Sequence, residues 1–339
     1  MFSGIGGFEK GIINAIGDKA EFVGFSEVDK YAISIYKKHY PKHKEYGDAR
    51  RIIPEEIPDF DLLVGGFPCQ SFSIAGKRGG FKDTRGTLFY EIARIASVKR
   101  PKLLLLENVK GLLSHDKGRT FGTILATLSD LGYVLEWQVL NSKNFGVPQN
   151  RERVFIIGHL GGIGGQTIFP IGESNSKTLE QIISGGQGNR VYDTKGTSTT
   201  IASQAGGQGA KTGLYAIDFR NKRKHEISPT LLGNAHNTHP FITGGLQAHA
   251  STMKNCSTAL TEAMGKGGGH TPILNSIRRL TPTECERLQG FPDNFTDYGI
   301  DNNGKQVKIS DSQRYKCLGN AVTTNVITAI MNKLLDKPN

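Results

Sequence analysis

Asp61-Leu62-Leu63-Val64-Gly65-Gly66-Phe67-Pro68-Cys69-Gln70-Ser71-Phe72-Ser73 reads as a short apolar strand that ends on a cysteine. Leu62 to Val64 supply the strand, Gly65 and Gly66 let the backbone turn closely past a ligand, and Pro68 fixes the dihedral just before the thiol. A second apolar run, Lys102-Leu103-Leu104-Leu105-Leu106, delivers Glu107-Asn108-Val109 in the same manner. A thiol and a carboxyl at two strand ends predict a paired site. Outward from these runs the first 160 residues alternate: Phe22 to Phe25 precedes an amphipathic stretch from Asp29 to Tyr40, Leu62 to Val64 precedes Leu88 to Val98, Leu103 to Leu106 precedes Phe121 to Leu131, and Val154 to Ile157 closes the series. Such alternation predicts an α/β fold with a mostly parallel sheet and helices on both faces. Ligands of these folds sit at the carboxyl ends of strands, where Glu27, Cys69 and Glu107 all fall.

Between residues 161 and 275 the chain turns to glycine, serine, threonine and asparagine with few long apolar runs, which predicts a separate lobe or insertion. A loose pattern recurs there in Gly196 to Ile201, Ile227 to Leu232 and Cys256 to Thr261, each a small polar and β-branched segment feeding a glycine-containing loop. A loop-rich β domain and a diverged repeat both account for it. After residue 276 helical signals return. Thr281-Pro282-Thr283-Glu284 has the cap, the proline and the acidic first turn of a helix start, and Thr323 to Leu335 is apolar enough to pack back on the first lobe.

The 339 residues suffice for a full core and a second lobe, and 37% hydrophobic content fits a globular protein without a membrane span. Neither a basic n-region nor an apolar h-region opens the chain, so a cytoplasmic setting is expected. Lysine and arginine number 42 against 31 acids, a net charge of +11 that favours a polyanionic partner. The four cysteines form no CxxC pair and the nine histidines form no ligand-spaced cluster with them, so neither a metal site nor a disulfide framework is expected. Cys285 and Cys317, in helix-like segments, are expected to be packing residues, and Cys69 is the reactive candidate.

In chain order Phe2-Ser3-Gly4-Ile5-Gly6-Gly7-Phe8-Glu9, Glu27 with Asp29-Lys30-Tyr31-Ala32, Gly47-Asp48, Phe67-Pro68-Cys69-Gln70, Glu107-Asn108-Val109, Gln149-Asn150-Arg151-Glu152-Arg153, the block from Arg279 to Phe291, and Gly319-Asn320-Ala321-Val322 resemble the motifs of DNA (cytosine-5) methyltransferases of the bacterial and phage type. The resemblance covers nearly the whole chain, and a proline-cysteine, a Glu-Asn-Val and a Gln-x-Arg-x-Arg in this order are specific. It implies a Rossmann-like class I methyltransferase sheet in residues 1–160, completed by 276–339, and a smaller loop-rich β target-recognition lobe in 161–275. It implies that Cys69 adds to C6 of cytosine so that C5 attacks the methyl of S-adenosylmethionine, leaving S-adenosyl-L-homocysteine. Glu107 would hold the N3 and N4 edge of the base, and Arg151 and Arg153 would anchor its O2 and nearby acidic groups, a structural salt bridge being the alternative for either arginine. Phe2, Ser3, Gly4, Gly6 and Pro68 would surround the cofactor, Glu27 would accept both ribose hydroxyls, Asp48 would bond the adenine amine, and Asn320 would reach the amino-acid part. The glycines depart from the GxGxxG spacing of dinucleotide sites.

The chemistry requires the target base to leave the duplex stack. The resemblance implies a closing loop over about Ser71 to Thr87, with Gly76, Gly79, Gly80 and Gly86 as hinges and with Gln70, Ser73, Lys77, Arg78 and Arg85 meeting DNA. Gly185 to Tyr192, with Gln187 and Arg190, and Gly206 to Tyr215 look like recognition loops for GCGC, while the segments at Ile227 and Cys256 resemble those of phage enzymes with several specificities. Double-stranded DNA, a cognate restriction endonuclease and a monomeric state are the expectations for partners. Relatives carry an apolar strand before the Phe-Ser-Gly block, so a weakly catalytic DNA-binding homologue is the alternative. A cysteine hydrolase is a further one, for which His115 is the nearby base candidate, and RNA cytosine methylation is a minor option.

Overall fold

The computed structural model describes residues 1–68, 88–161, 168–172 and 280–335, together with the backbone of the strand segments between 181 and 278. Its central sheet contains β1 (Leu62–Gly66), β2 (Leu103–Val109), β3 (Tyr133–Asn141) and β5 (Glu152–Leu160) in the order β1-β2-β5-β3, and a short β4 (Gln149–Asn150) precedes β5. β1 and β2 are parallel, whereas β5 is antiparallel to both of its neighbours. The mostly parallel sheet expected from sequence is corrected here to a mixed one. β3 and β5 are joined through a 3-10 turn at Ser142–Phe145 rather than a crossover helix, so the chain returns in the opposite direction. The reversal has a functional result: the first residues of β5, not its last, lie at the rim formed by the carboxyl ends of β1 and β2.

Both faces of this sheet are covered, which is why β2 reads as an unbroken leucine run. On one face Leu105, Phe155 and Ile157 pack with Phe8 and Ile12 of α1 (Gly7–Ile16) and with Val326, Ile327 and Ile330 of the chain's last helix. On the other, Leu104, Leu106, Val154 and Ile156 meet Phe89, Ile92 and Ile95 of α3 (Leu88–Lys99) and Phe121, Ile124 and Leu128 of α4 (Arg119–Asp130). Consecutive β2 residues thus serve opposite layers. α1 approaches the last helix so closely that a Cβ at Gly11 would stand 2.4 Å from Cβ of Ile327.

α2 (Lys30–His39) follows an Asp29 cap whose carboxylate accepts the Tyr31 and Ala32 amides. The expected strand at Phe22 to Phe25 is reduced to a single bridge between Phe25 and Glu45, because its neighbours offer only short hydrogen-bonded stretches: Phe25 to Lys44 and Tyr46 on one side, and Ser26 to Ser3 on the other.

The C-terminal segment contains α5 (Pro282–Leu288), α6 (Asp311–Asn320) and α7 (Thr324–Leu335), with the β12–β13 hairpin (Tyr298–Ile300, Gln306–Lys308) between the first two. The Thr281 hydroxyl and the Glu284 carboxylate complete the predicted capping box. Cys285 and Cys317 are buried free thiols in a cluster with Leu288, Phe291 and Phe295. Beneath α6 the fully buried Glu286 carboxylate accepts from the Asn294 and Thr296 amides and from Arg314, 3.1 Å away. A separate five-stranded sheet contains β6 (Gln181–Ile183), β7 (Val191–Asp193), β9 (Leu214–Asp218), β10 (His239–Thr243) and β11 (Ile273–Arg278) in the order β10-β11-β9-β7-β6, and β8 (Ser198–Thr199) runs parallel to β4. Among the described residues no helix is long and apolar enough to cross a membrane.

Candidate active site

The register of β1 on β2 pairs Gly66 with Glu107, so the end of the glycine strand lies beside the acid. A Cβ at position 66 would stand 3.1 Å from Glu107 Oε2, so a side chain there would press on the carboxylate. Asn108 points the opposite way, is buried, and donates from Nδ2 to the Phe67 carbonyl at 2.7 Å while its Oδ1 accepts the Val109 amide. That amide group therefore locks the ends of two strands together, one residue before Pro68. Across the next seam Val109 pairs with Arg153, so Glu107 and Arg153 are diagonal neighbours on one face of the sheet. Arg153 Nε reaches Glu107 Oε1 at 3.0 Å, and both side chains are largely shielded from solvent. Burial weighs against the charged form of Arg153, and Glu107 offsets part of that cost.

Arg151 differs from the expectation that it faces the base. It is buried, and its Nη2 donates to the carbonyls of Gly319 (3.1 Å) and Ala321 (2.9 Å), the residues on either side of Asn320. Burial first and the Arg153 charge second press its ionisation down. Its observed partners make it a residue that grips backbone across the molecule.

The second half of the site is built by the N-terminal loop. Glu27 accepts the Gly4 amide on Oε2 (2.8 Å) and the Val28 and Asp29 amides on Oε1 (2.8 and 3.0 Å), which folds Phe2 to Gly6 around the acid. Gly4 and Gly6 have φ of 53° and 87°, values that glycine adopts without strain. Ser3 is buried and its hydroxyl has no hydrogen-bond partner among the described residues. A cavity of about 260 Å³ is lined by Phe2, Ser26, Glu27, Val28, Asp48 and Leu88, among others. The Arg50 guanidinium holds the Asp48 carboxyl down at about 2 through paired hydrogen bonds. Asn320 is exposed at the end of α6, and Lys316, one turn earlier, pairs with Asp29 beside Glu27, so α6 is tied to the loop that carries the acid.

Val28, Ser26, Ala49, Arg50 and Leu88 are cavity residues that sequence reasoning missed. Val28 carried a signal, an apolar residue directly after the strand-end acid, and it is 68% exposed at the cavity. Pro68 is exposed at the end of β1. His115 bonds Thr120 Oγ1 through Nδ1 at 2.7 Å in the turn before α4. Cys69, Gln70, Ser73, Lys77, Arg78, Arg85, Gln187 and Arg190 lie outside the described residues.

A family model described as C-5 cytosine-specific DNA methylase matches residues 1–336. The chain belongs to the C-5 cytosine-specific DNA methylases. This methylase is 40% identical to the type II methyltransferase M1.ScrFI of Lactococcus lactis subsp. cremoris over 99% of this chain and 77% of the relative. It is 38% identical to M.HaeII of Haemophilus aegyptius over 100% of this chain and 92% of the relative. In fold the methylase is similar to Spodoptera frugiperda DNMT2, with a TM-score of 0.61 at 18% identity over 99% and 98% of the two chains. Its reaction is therefore DNA cytosine-5 methylation on a class I methyltransferase fold.

Proposed function

We propose that this methylase moves a methyl group from S-adenosylmethionine to C5 of a cytosine swung out of a short specific duplex site, through a transient bond from Cys69 to the base. The observation that carries this reading is the Glu107–Arg153 pair at the shared end of β2 and β5, with Asn108 fastening Phe67 beside it. One peptide beyond Pro68, the Cys69 thiolate adds to C6, and the electron pair moves to C5. C5 then takes the methyl group; a base removes the C5 proton, the C5–C6 double bond re-forms, and the thiolate departs. Glu107 holds the N3 and N4 edge of the ring during the addition, and Arg153 orients Glu107 and reaches O2. Arg151 holds the backbone around Asn320.

The N-terminal loop fits a charged adenosine derivative. The acid at Glu27, the exposed apolar side chain of Val28 and the carboxylate of Asp48 line one cavity beside Phe2, and the neighbouring Ser3 hydroxyl is buried without a partner among the described residues. Glu27 would accept the ribose hydroxyls, Asp48 the adenine amine, and Asn320 would reach the amino-acid end. S-adenosylmethionine supplies, when bound, an electrophilic methyl group on a sulfonium, and the demethylated product is S-adenosyl-L-homocysteine.

Residues 161–275 serve in this reading as the target-recognition lobe, with Gln187 and Arg190 at a GC-rich site such as GCGC and with room for more than one specificity. Gln70, Ser73, Lys77, Arg78 and Arg85 meet DNA near the thiol. The protein acts as a monomer in the cytoplasm, beside a cognate restriction endonuclease, in line with the type II names of its relatives. Transfer of labelled methyl groups to duplex DNA, abolished in Cys69→Ser, tests the chemistry, and bisulfite sequencing of DNA from expressing cells reads the site. A folded preparation that incorporates no label removes the proposal.

A further inference from the structure

Gln289 is fully buried where α5 ends, and the whole hydrogen-bonding capacity of its amide is spent inside the protein. Nε2 donates to the carbonyls of Leu318 (2.7 Å) and Ala321 (3.3 Å). Oε1 accepts from the Thr323 hydroxyl (2.8 Å) and from Nε2 of Gln149 (3.3 Å). An amide offers two donors and two lone pairs, and here all four face protein partners. Those partners belong to two distant places: β4, just before Arg151, and the turn from α6 into α7. Gln149, also fully buried, anchors the other side by donating to the Leu288 carbonyl at 2.7 Å.

The Leu318 carbonyl accepts the Ala321 amide at 3.3 Å, but the carbonyls around the end of α6 run short of intrahelical donors, the ordinary problem of a helix C-terminus. Three of them are met by side chains from elsewhere. Leu318 receives Gln289, Gly319 receives Arg151, and Ala321 receives both. Asn320 stands between the last two with its side chain left exposed. The two donors also differ in origin, since Arg151 is two residues from Arg153 on the base side of the site while Gln289 belongs to the C-terminal segment.

We infer that Gln289 is a positioning residue that sets the backbone of Asn320 for the cofactor and ties it, through Gln149 and the shared Ala321 carbonyl, to the strand carrying Arg153. The inference rests on the reading of Asn320 as a cofactor contact. Gln289 touches neither substrate nor cofactor; its effect passes through Asn320.

The test is a double-mutant cycle on S-adenosyl-L-homocysteine affinity, measured by calorimetry on the full chain, with Gln289→Leu, Asn320→Ala and the pair. Gln289→Leu is expected to weaken binding about tenfold in the native background and to change it less than twofold once Asn320 is alanine. Single-turnover methyl transfer at saturating S-adenosylmethionine is expected to keep its rate within about threefold, so that the defect appears in affinity. Thr323→Val, which removes one donor to Gln289 Oε1 and leaves the amide in place, is expected to give a weaker shift of the same kind, and it decides the matter if Gln289→Leu does not fold. Additive losses, or unaltered affinity in a folded Gln289→Leu or Thr323→Val protein, overturn the inference while the cofactor reading stands. A native protein that does not bind S-adenosyl-L-homocysteine, or an Asn320→Ala protein that binds it normally, removes both.

Discussion

Asn108 at the end of β2 donates to the carbonyl of Phe67 at the end of β1, 2.7 Å away, and so joins the strand of the acid to the strand that leads into Cys69. Replacing Asn108 by alanine leaves a buried carbonyl unpaired, at a cost of about 1–3 kcal/mol, and frees the thiol-bearing segment. A misplacement of the reacting group by about 1 Å can cost roughly 100-fold in rate. The expected result for Asn108→Ala is a single-turnover methyl-transfer rate lowered about 100-fold with S-adenosyl-L-homocysteine affinity near the native value. Parallel loss of both quantities would point instead to general unfolding.

Glu107 and Arg153 form one unit, and their substitutions are expected not to add. Glu107→Gln removes the charge that holds the guanidinium, and Arg153→Lys replaces a planar fork by a point charge. Each single change is expected to lower transfer at least about 100-fold, and the double variant to be little worse than either single one. Rates that multiply in the double variant would show two independent roles.

Burial raises the Glu9 carboxyl above its ordinary value near 4.5, and hydrogen bonds, including one from Tyr36 at 3.0 Å, offset only part of that shift. The folded state therefore holds this proton to higher pH than the unfolded chain does. The group's contribution to stability is fully present below the unfolded pKa, falls as pH rises above it, and is lost once pH passes the folded value. Glu9→Gln keeps an acceptor for Tyr36 and deletes the titration. Its melting temperature is expected to match the native protein near pH 4.5 and to exceed it progressively toward pH 8. A constant difference across that range would refute the assignment.

Arg314 lies under α6 with Nε on Thr296 Oγ1 and its terminal nitrogens on Glu286 and Asp297. Arg314→Met strands the buried Glu286 carboxylate, and breaking a buried pair in this way costs about 3–5 kcal/mol. Glu286→Gln in the same background is expected to recover part of the loss, because the amide oxygen still accepts from Thr296. Urea midpoints at constant m-value measure both effects.

Two kinds of information separate what the chain announces from what only folding reveals. Helices α2, α3, α4 and α7 and the capped start of α5 follow from apolar spacing and capping chemistry, and they occur within two residues of the expected bounds. β3 escaped notice because Tyr133 to Asn141 interleaves Glu136 and Gln138 with its apolar residues, and both polar side chains are spent on the segment after residue 167. α1 was hidden behind glycines at 7 and 11 that serve close packing against Val322 and Ile327. At the site, Glu107 was readable as the acid that ends an apolar strand, and Arg153 through the resemblance of the block from Gln149 to Arg153 to a family motif. The inward turn of Arg151 was not, since its partners lie about 170 residues downstream and local sequence carries no trace of them.

That long reach has a consequence for how the protein comes into being. Arg151 closes on carbonyls 168 and 170 residues further along, so half the chain must be made before its partners exist. Contacts of such separation form late, after the entropy of a large loop has been spent. During synthesis, a nascent chain already displaying Cys69, Glu107 and Arg153 lacks the turn that carries Asn320 until nearly the last helix has left the ribosome. Under the roles proposed for Cys69 and Asn320, methyl transfer therefore waits for a turn that emerges late in synthesis.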